Sequence, residues 1–325
     1  MRSLLFYQMS SNASTLVVDL RYDIPVAGLG TPVFYIIHSL AITCILSSLF
    51  SAVSVIFVSF RTKSAKTFFK SWSKCERFVV YLALCDGLFN MAHFMDHFHM
   101  AVVKDHVHPI ELCEYYGFIV FMFISAQMLL VSLIAINAFV LMKFGKNLDL
   151  GKYDWKLLLL TFGFPFVECL VVTVVGKIGP TGAYCGVTGR IPTLFLTTVP
   201  VLIVITLNSV IYTLTWSKIR AETKRLEGTI GDKANSDRKS TQAAKTMSLF
   251  VLVFIIQWWA AAVNGIWGMI AENVPLAMFL LVTSFSNIGG IMNGIVFLIM
   301  RRNKTRKTAP KPTVSKLKTG ANEVK

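Results

Sequence analysis

Seven long, mostly apolar runs set the pattern of this chain, at about 33–60, 76–101, 111–143, 157–176, 191–216, 244–270 and 275–300, separated by short polar or charged stretches. A helix crossing roughly 30 Å of hydrocarbon needs about 20 such residues, so each run predicts a membrane-spanning helix. The expected fold is all-α, an integral membrane bundle of seven transmembrane helices. The period-2 alternation of a membrane barrel does not occur. Pro165, Pro192 and Pro200 punctuate the fourth and fifth runs, which membrane helices tolerate where neighbours re-satisfy the freed carbonyls. No internal repeat is visible, which argues against transporters built from repeated halves.

Composition agrees with the pattern. With 54% hydrophobic and 15% charged residues among 325, the chain has too little polar surface to cover a soluble globule. The net charge of +15 changes the picture through its placement. Of the Lys and Arg residues, six lie in 61–77, four in 143–156, eight in 217–245 and nine after 300, leaving only Arg2, Arg21, Lys104, Lys177 and Arg190 in the other set of loops. The positive-inside rule then puts the amino terminus outside and the carboxyl tail in the cytoplasm. The basic excess reads as topology and affinity for anionic lipid, with the bilayer as a partner and no nucleic acid.

The expected organisation is a short extracellular segment 1–32, a seven-helix domain 33–300 and a basic cytoplasmic tail 301–325 of a multi-pass plasma-membrane protein. The start "MRSLLFYQMS" has no continuous apolar core, so the first helix serves as its own insertion signal. Asn12 heads a glycosylation sequon on the side where glycosylation occurs, and Asn303 heads one that faces the cytoplasm. The charged stretch 217–243 is expected to extend the fifth and sixth helices as amphipathic turns.

Among six cysteines, only Cys113 and Cys185 lie on the outer side, where an oxidising compartment can join them or leave two free thiols. From here the motifs accumulate in order. "LALCD" ends at Asp86, "NAF" (Asn137, Ala138, Phe139) follows Cys113 by 24 residues, Phe254 precedes Trp258 by four, and "NGIVF" runs from Asn293 to Phe297. Taken together over about 70–300, they resemble the rhodopsin-like G-protein-coupled receptors, with features of the cyclic-AMP-receptor-like group in "WAAAVNGI" and "GGIMNGIVF".

The resemblance implies a receptor that passes an extracellular signal to a heterotrimeric G protein by helix rearrangement. It also implies that Asp86 faces Asn293 and holds water or a sodium ion, the sole cofactor expectation. Phe254, Trp258 and Phe297 would complete an activation core. Three positions depart from the pattern: Ala138 stands where the family has Arg, Ala260 where the sixth helix has Pro, and Gly294 where the seventh has Pro. A resting lock built on that Arg cannot exist here, and Gly265, Gly268 and Gly289–Gly290 become the candidate flexible points. The family's amine-binding Asp position is Val120 and its retinal-binding Lys position is Asn287, which excludes a monoamine anchor and a retinal Schiff base there. Phe94, Phe98, Tyr115, Tyr116, Trp259 and Trp267 are expected to line an aromatic outer pocket.

Five of six histidines crowd into 90–109. His93 and His97 share a helix face, with Asp96 three residues from both His93 and His99. Three readings stay open: a solvated polar helix end with His106 and His108, a proton or divalent-cation sensor, or a zinc or copper site. Catalysis is not expected, because membrane histidine-box enzymes need further boxes and His38 is the only other histidine. Glu168, a second intramembrane acid, is expected to line a pocket or pair with Lys177. Two alternatives to the receptor stand beside it: a transporter or channel with an intramembrane proton relay, and a receptor-shaped scaffold that does not couple.

Overall fold

The computed structural model describes residues 22–227, 231–271 and 274–308; Asn12 and the distal tail lie outside them. The chain is mostly helical. Among the described residues, seven helices are long and apolar enough to cross a membrane: α1 Pro32–Thr62, α2 Lys74–Val103, α3 Ile110–Phe144, α4 Lys152–Val174, α5 Arg190–Arg225, α6 Lys233–Ile270 and α7 Leu276–Asn303. A short hairpin, β1 Ile178–Pro180 and β2 Cys185–Val187, pairs antiparallel between α4 and α5.

The helix ends follow local chemistry. Thr31 caps α1 just ahead of Pro32, whose missing N–H is harmless in a first turn. A capping box starts α2: Ser73 accepts from the Glu76 amide while the Glu76 carboxylate takes the Ser73 amide at 2.8 Å. Gly145, at φ 69°, ends α3 in the left-handed conformation that glycine adopts without steric cost.

The prolines of the fourth and fifth runs leave a visible mark. A π-turn, Leu159–Gly163, precedes Pro165, and another, Leu194–Thr198, precedes Pro200. The widened turn absorbs the proline ring and its lost hydrogen bond without ending the helix. The seventh helix breaks instead, at Ile288, between Leu276–Asn287 and Gly289–Thr308. Neighbours take up the freed carbonyls: Gln257 Nε2 donates to Ser286 O at 2.9 Å, Ser51 Oγ to Gly290 O at 2.9 Å, and Ser48 Oγ to Asn287 O. This break falls at the Gly289–Gly290 pair that the sequence marks as a flexible point.

Helix α3 is the hub, packing on α2, α4, α5, α6 and both strands, while α1 packs against α2 and α7. One large core fills the space between α2, α3, α5, α6 and α7. Charged stretch 217–243 extends α5 to Arg225 and begins α6 at Asp232, as its composition predicts. The outer faces of the helices are apolar, with Phe50 76% and Val174 78% exposed. Such a surface suits hydrocarbon rather than water. At the end opposite the hairpin, a crevice of about 860 Å³ opens between α1, α2, α3, α6 and α7, with Lys63, Lys74, Lys239 and Arg301 among its lining residues.

Candidate functional site

A buried polar column runs along one face of α2. Asp86, Asn90, His93 and His97 are spaced four, three and four apart, so they stack on a single stripe, and each is 7% exposed or less. At its lower end Asp86 accepts from Gln127 Nε2 of α3 at 2.7 Å and from Asn293 Nδ2 of α7 at 2.8 Å. Trp258 of α6 donates its indole N–H to Gln127 Oε1 at 3.3 Å. That bond fixes which end of the Gln127 amide is oxygen and hence sends its NH₂ to Asp86. Four helices are thereby joined through one carboxylate.

The resemblance implies that Asp86 faces Asn293 and counts Trp258 in the same core; the structure brings these three together and adds Gln127, which the motifs do not mark. Phe254 and Phe297 are buried near this layer, Phe254 6.4 Å from the Trp258 ring and Phe297 in the crevice wall under the Arg301 guanidinium at 5.7 Å. The residues around Asp86 do not fit a sodium ion. Both carboxylate oxygens meet amide N–H donors, and the adjoining cavity of about 10 Å³ is otherwise lined mainly by Ala52, Val55, Val79, Ala83 and Phe250. A dehydrated cation there would find no ring of oxygens; the space matches about one water molecule.

At the crevice end, Asn137 is fully buried and makes contacts to two other segments. Its Oδ1 accepts from the Leu148 amide at 2.8 Å, while Nδ2 lies 3.2 Å from both Asn147 Oδ1 and Met247 Sδ. One side chain thus holds the α3–α4 loop and touches α6. Ala138 is buried in the core, and Phe139, partly buried, lies under Lys143 at 5.6 Å. Beside them, Arg77 makes a two-pronged pair with Asp154, Nε to Oδ2 at 2.6 Å and Nη2 to Oδ1 at 2.9 Å, and Tyr81 donates to the same carboxylate at 3.0 Å. Nothing in the sequence links these residues, since Arg77 reads there only as a topology charge.

At the hairpin end, Cys113 and Cys185 are joined, with Cα atoms 5.4 Å apart. Strand β2 lies so close to α3 that a Cβ on Gly117 would fall 3.1 Å from the Gly186 amide. Asp96 sits beneath, its Oδ2 accepting from the Cys185 amide at 2.7 Å. The histidines do not form a solvated helix end. His38 of α1 reaches His97 (Nδ1 to Nδ1, 2.9 Å), and His97 reaches His93 (Nε2 to Nε2, 3.0 Å). His106 is also buried, against the Ile24 carbonyl at 2.6 Å; His108 stacks on Tyr22 at 4.3 Å. His99 stands apart from the buried group on a partly exposed face.

Neither the metal site that the histidines left open nor the expected aromatic pocket assembles among the described residues. No group of three or more His, Cys, Asp or Glu side chains suited to a metal occurs among the described residues. His97 turns one nitrogen to each neighbour, so no single ion can touch all three rings. The aromatic outer pocket does not assemble either, because Phe98, Tyr115, Trp259 and Trp267 point outward and are exposed. Helix periodicity alone cannot say which face meets a neighbour. Glu168 is partly buried on α4 between the exposed Phe164 and Val171, and no ion pair to Lys177 forms among the described residues.

No known protein-family model matches the chain, and comparison with curated proteins finds no match.

Proposed function

We propose that the chain is a plasma-membrane receptor with its amino terminus outside, which transmits an extracellular ligand signal to a heterotrimeric G protein. The observation that carries this reading is the Asp86–Gln127–Trp258–Asn293 network. It ties α2, α3, α6 and α7 together midway between the hairpin end and the crevice, so any change in one helix's position must break or remake a buried hydrogen bond in the others. A buried layer shared by four helices is a place where a switch between two helix packings could act. The basic loops at the crevice end support a cytoplasmic position for it, in which its lysines and Arg301 would meet an acidic or helix-terminal partner surface.

The motifs similar to rhodopsin-like receptors support the same assignment, and the Asn137 contacts to Leu148 and Met247 supply a resting restraint where that family uses arginine. The test needs no ligand. Gln127→Leu strips a donor from Asp86 and the acceptor from Trp258, and Asn137→Ala frees the loop from α6; either should raise basal guanine-nucleotide exchange in cells. Silence of the wild type and of both variants across a G-protein panel, with surface expression confirmed, would leave the non-coupling scaffold.

A second reading, transport, is favoured by one feature: the buried stripe Asp86, Asn90, His93 and His97 runs from mid-bundle to the hairpin end. Flux that follows membrane potential in proteoliposomes would select it over the receptor.

A further inference from the structure

The three-histidine string, with all three rings neutral, leaves its two end nitrogens in unequal states. Two contacts, His38 Nδ1 to His97 Nδ1 and His97 Nε2 to His93 Nε2, each need one N–H. A neutral His97 has one N–H and one lone pair, so it donates to one neighbour and accepts from the other. Follow either choice outward and the string acquires a direction. One end nitrogen carries a hydrogen and the other a bare lone pair. Those ends are His38 Nε2 and His93 Nδ1, and both are buried with no partner.

We propose that His38, His97 and His93 form one proton-binding site, in which a single added proton is shared by all three rings beneath the disulfide hairpin. The proton joins the bare lone pair at one end. From there each N–H···N contact passes its own hydrogen to the next ring, so the charge reaches any of the three without a ring turning over. Only N–H bonds form and break, and the proton comes from solvent acid. The rings are each 7% exposed or less, and a proton is the ligand such a closed site accepts without opening.

A buried cation is costly unless its charge is spread or countered, and the structure offers both. The string spreads it across three rings. Asp96, next to His97 in sequence and one turn from His93, has Oδ1 buried without a partner while Oδ2 holds the Cys185 amide. The other titratable groups facing the site are Tyr184 of the hairpin, 5.5 Å from the His93 ring, and Tyr116 of α3, buried in the cluster around Cys113 and Cys185. Of the two parts of α7 that pack on α1, the first, Leu276–Asn287, carries no titratable side chain. Proton uptake would therefore act on Asp96 and, through it, on the hairpin. This inference does not rest on the receptor reading.

The test is nitrogen NMR of the full chain, labelled with ¹⁵N-histidine, in lipid nanodiscs across a pH series. The expected result is that His38, His93 and His97 change together and take up one proton in total. In His97→Gln the shared step should be lost, leaving His38 and His93 to respond independently; in Asp96→Asn it should move to more acid pH. Three rings each taking their own proton, or a His97→Gln titration identical to wild type at His38 and His93, would overturn the proposal. Should His97→Gln fail to form the Cys113–Cys185 bridge, His38→Gln replaces it: His93 and His97 must still share one proton, and separate titration of the two refutes the site.

Discussion

Removing the carboxylate of Asp154 should destabilise the bundle far more than a surface change would. Arg77 and Asp154 have side chains only 10% and 4% exposed, so the pair is nearly desolvated. Taking away one partner strands the other charge, at a cost of about 3–5 kcal/mol. Arg77 Nη1 retains the Trp72 carbonyl at 2.8 Å, which keeps the loss toward the lower end of that range. The backbone adds a further term. Asp154 and Tyr153 both sit at positive φ, 57° and 59°, a region that costs most residues about 1–2 kcal/mol but that Asp and Asn tolerate better. Asp154→Ala combines both penalties, about 4 kcal/mol, roughly a thousandfold in the unfolding equilibrium. Asp154→Asn keeps the backbone preference and a hydrogen bond from Tyr81, so about 2–3 kcal/mol is expected. The double variant Arg77→Met/Asp154→Asn removes the stranded cation and should recover part of the loss. Equilibrium unfolding in mixed micelles, followed by helical circular dichroism, measures all three. Asp154→Ala within about 1 kcal/mol of wild type, or strict additivity in the double variant, would show that the pair does not join α2 to the start of α4.

Three further outcomes follow from packing, covalent linkage and charge. Gly290→Ala would push a methyl to 2.6 Å from the Ser48 carbonyl, whereas Gly268→Ala meets nothing within 4 Å; the first should cost about 1–3 kcal/mol by overpacking and the second should be neutral or gain up to about 1 kcal/mol, read in the same unfolding assay. Cys113→Ser releases a bridge spanning 72 residues, for which chain entropy sets a ceiling of about 4 kcal/mol; loss of hairpin protection in hydrogen exchange at Cys185, with the helices retained, is the expected signature. The exposed Asp149 carboxyl is held below its ordinary range, first by the hydrogen bond from Lys156 and then by the Gly151 amide. Because its folded value is depressed, whatever it contributes to the loop is present above the unfolded value and lost as pH falls through the folded one. Carboxyl NMR should show it return toward the ordinary value in Lys156→Ala.

The Gln127 amide and the His38 ring illustrate why the motifs reached only part of the site. Asp86, Asn293 and Trp258 stand in motifs whose resemblance to a receptor pattern implied their convergence one helix at a time. Gln127 is one more polar residue in an apolar run, and its role depends on α3 being turned toward both α2 and α6. His38 lies 59 residues from its partner His97; the clustering in 90–109 marked the His93–His97 pair but not His38, and His99 fell on a different face. Asp154 was hidden for the same reason.

The sequence alone determined that the chain makes seven long apolar helices, where prolines would strain them, which end carries the basic loops and where the α5 and α6 extensions run. Those features follow from hydrophobicity, period and charge, which are local properties of the chain. Tertiary structure decided the Arg77–Asp154 pair, the His38–His97–His93 string, the closed surroundings of Asp86 and the outward placement of Phe98, Tyr115, Trp259 and Trp267. Each depends on the rotation of one helix against another, and that rotation is fixed by side-chain packing between segments far apart in the chain, which a one-dimensional pattern does not contain.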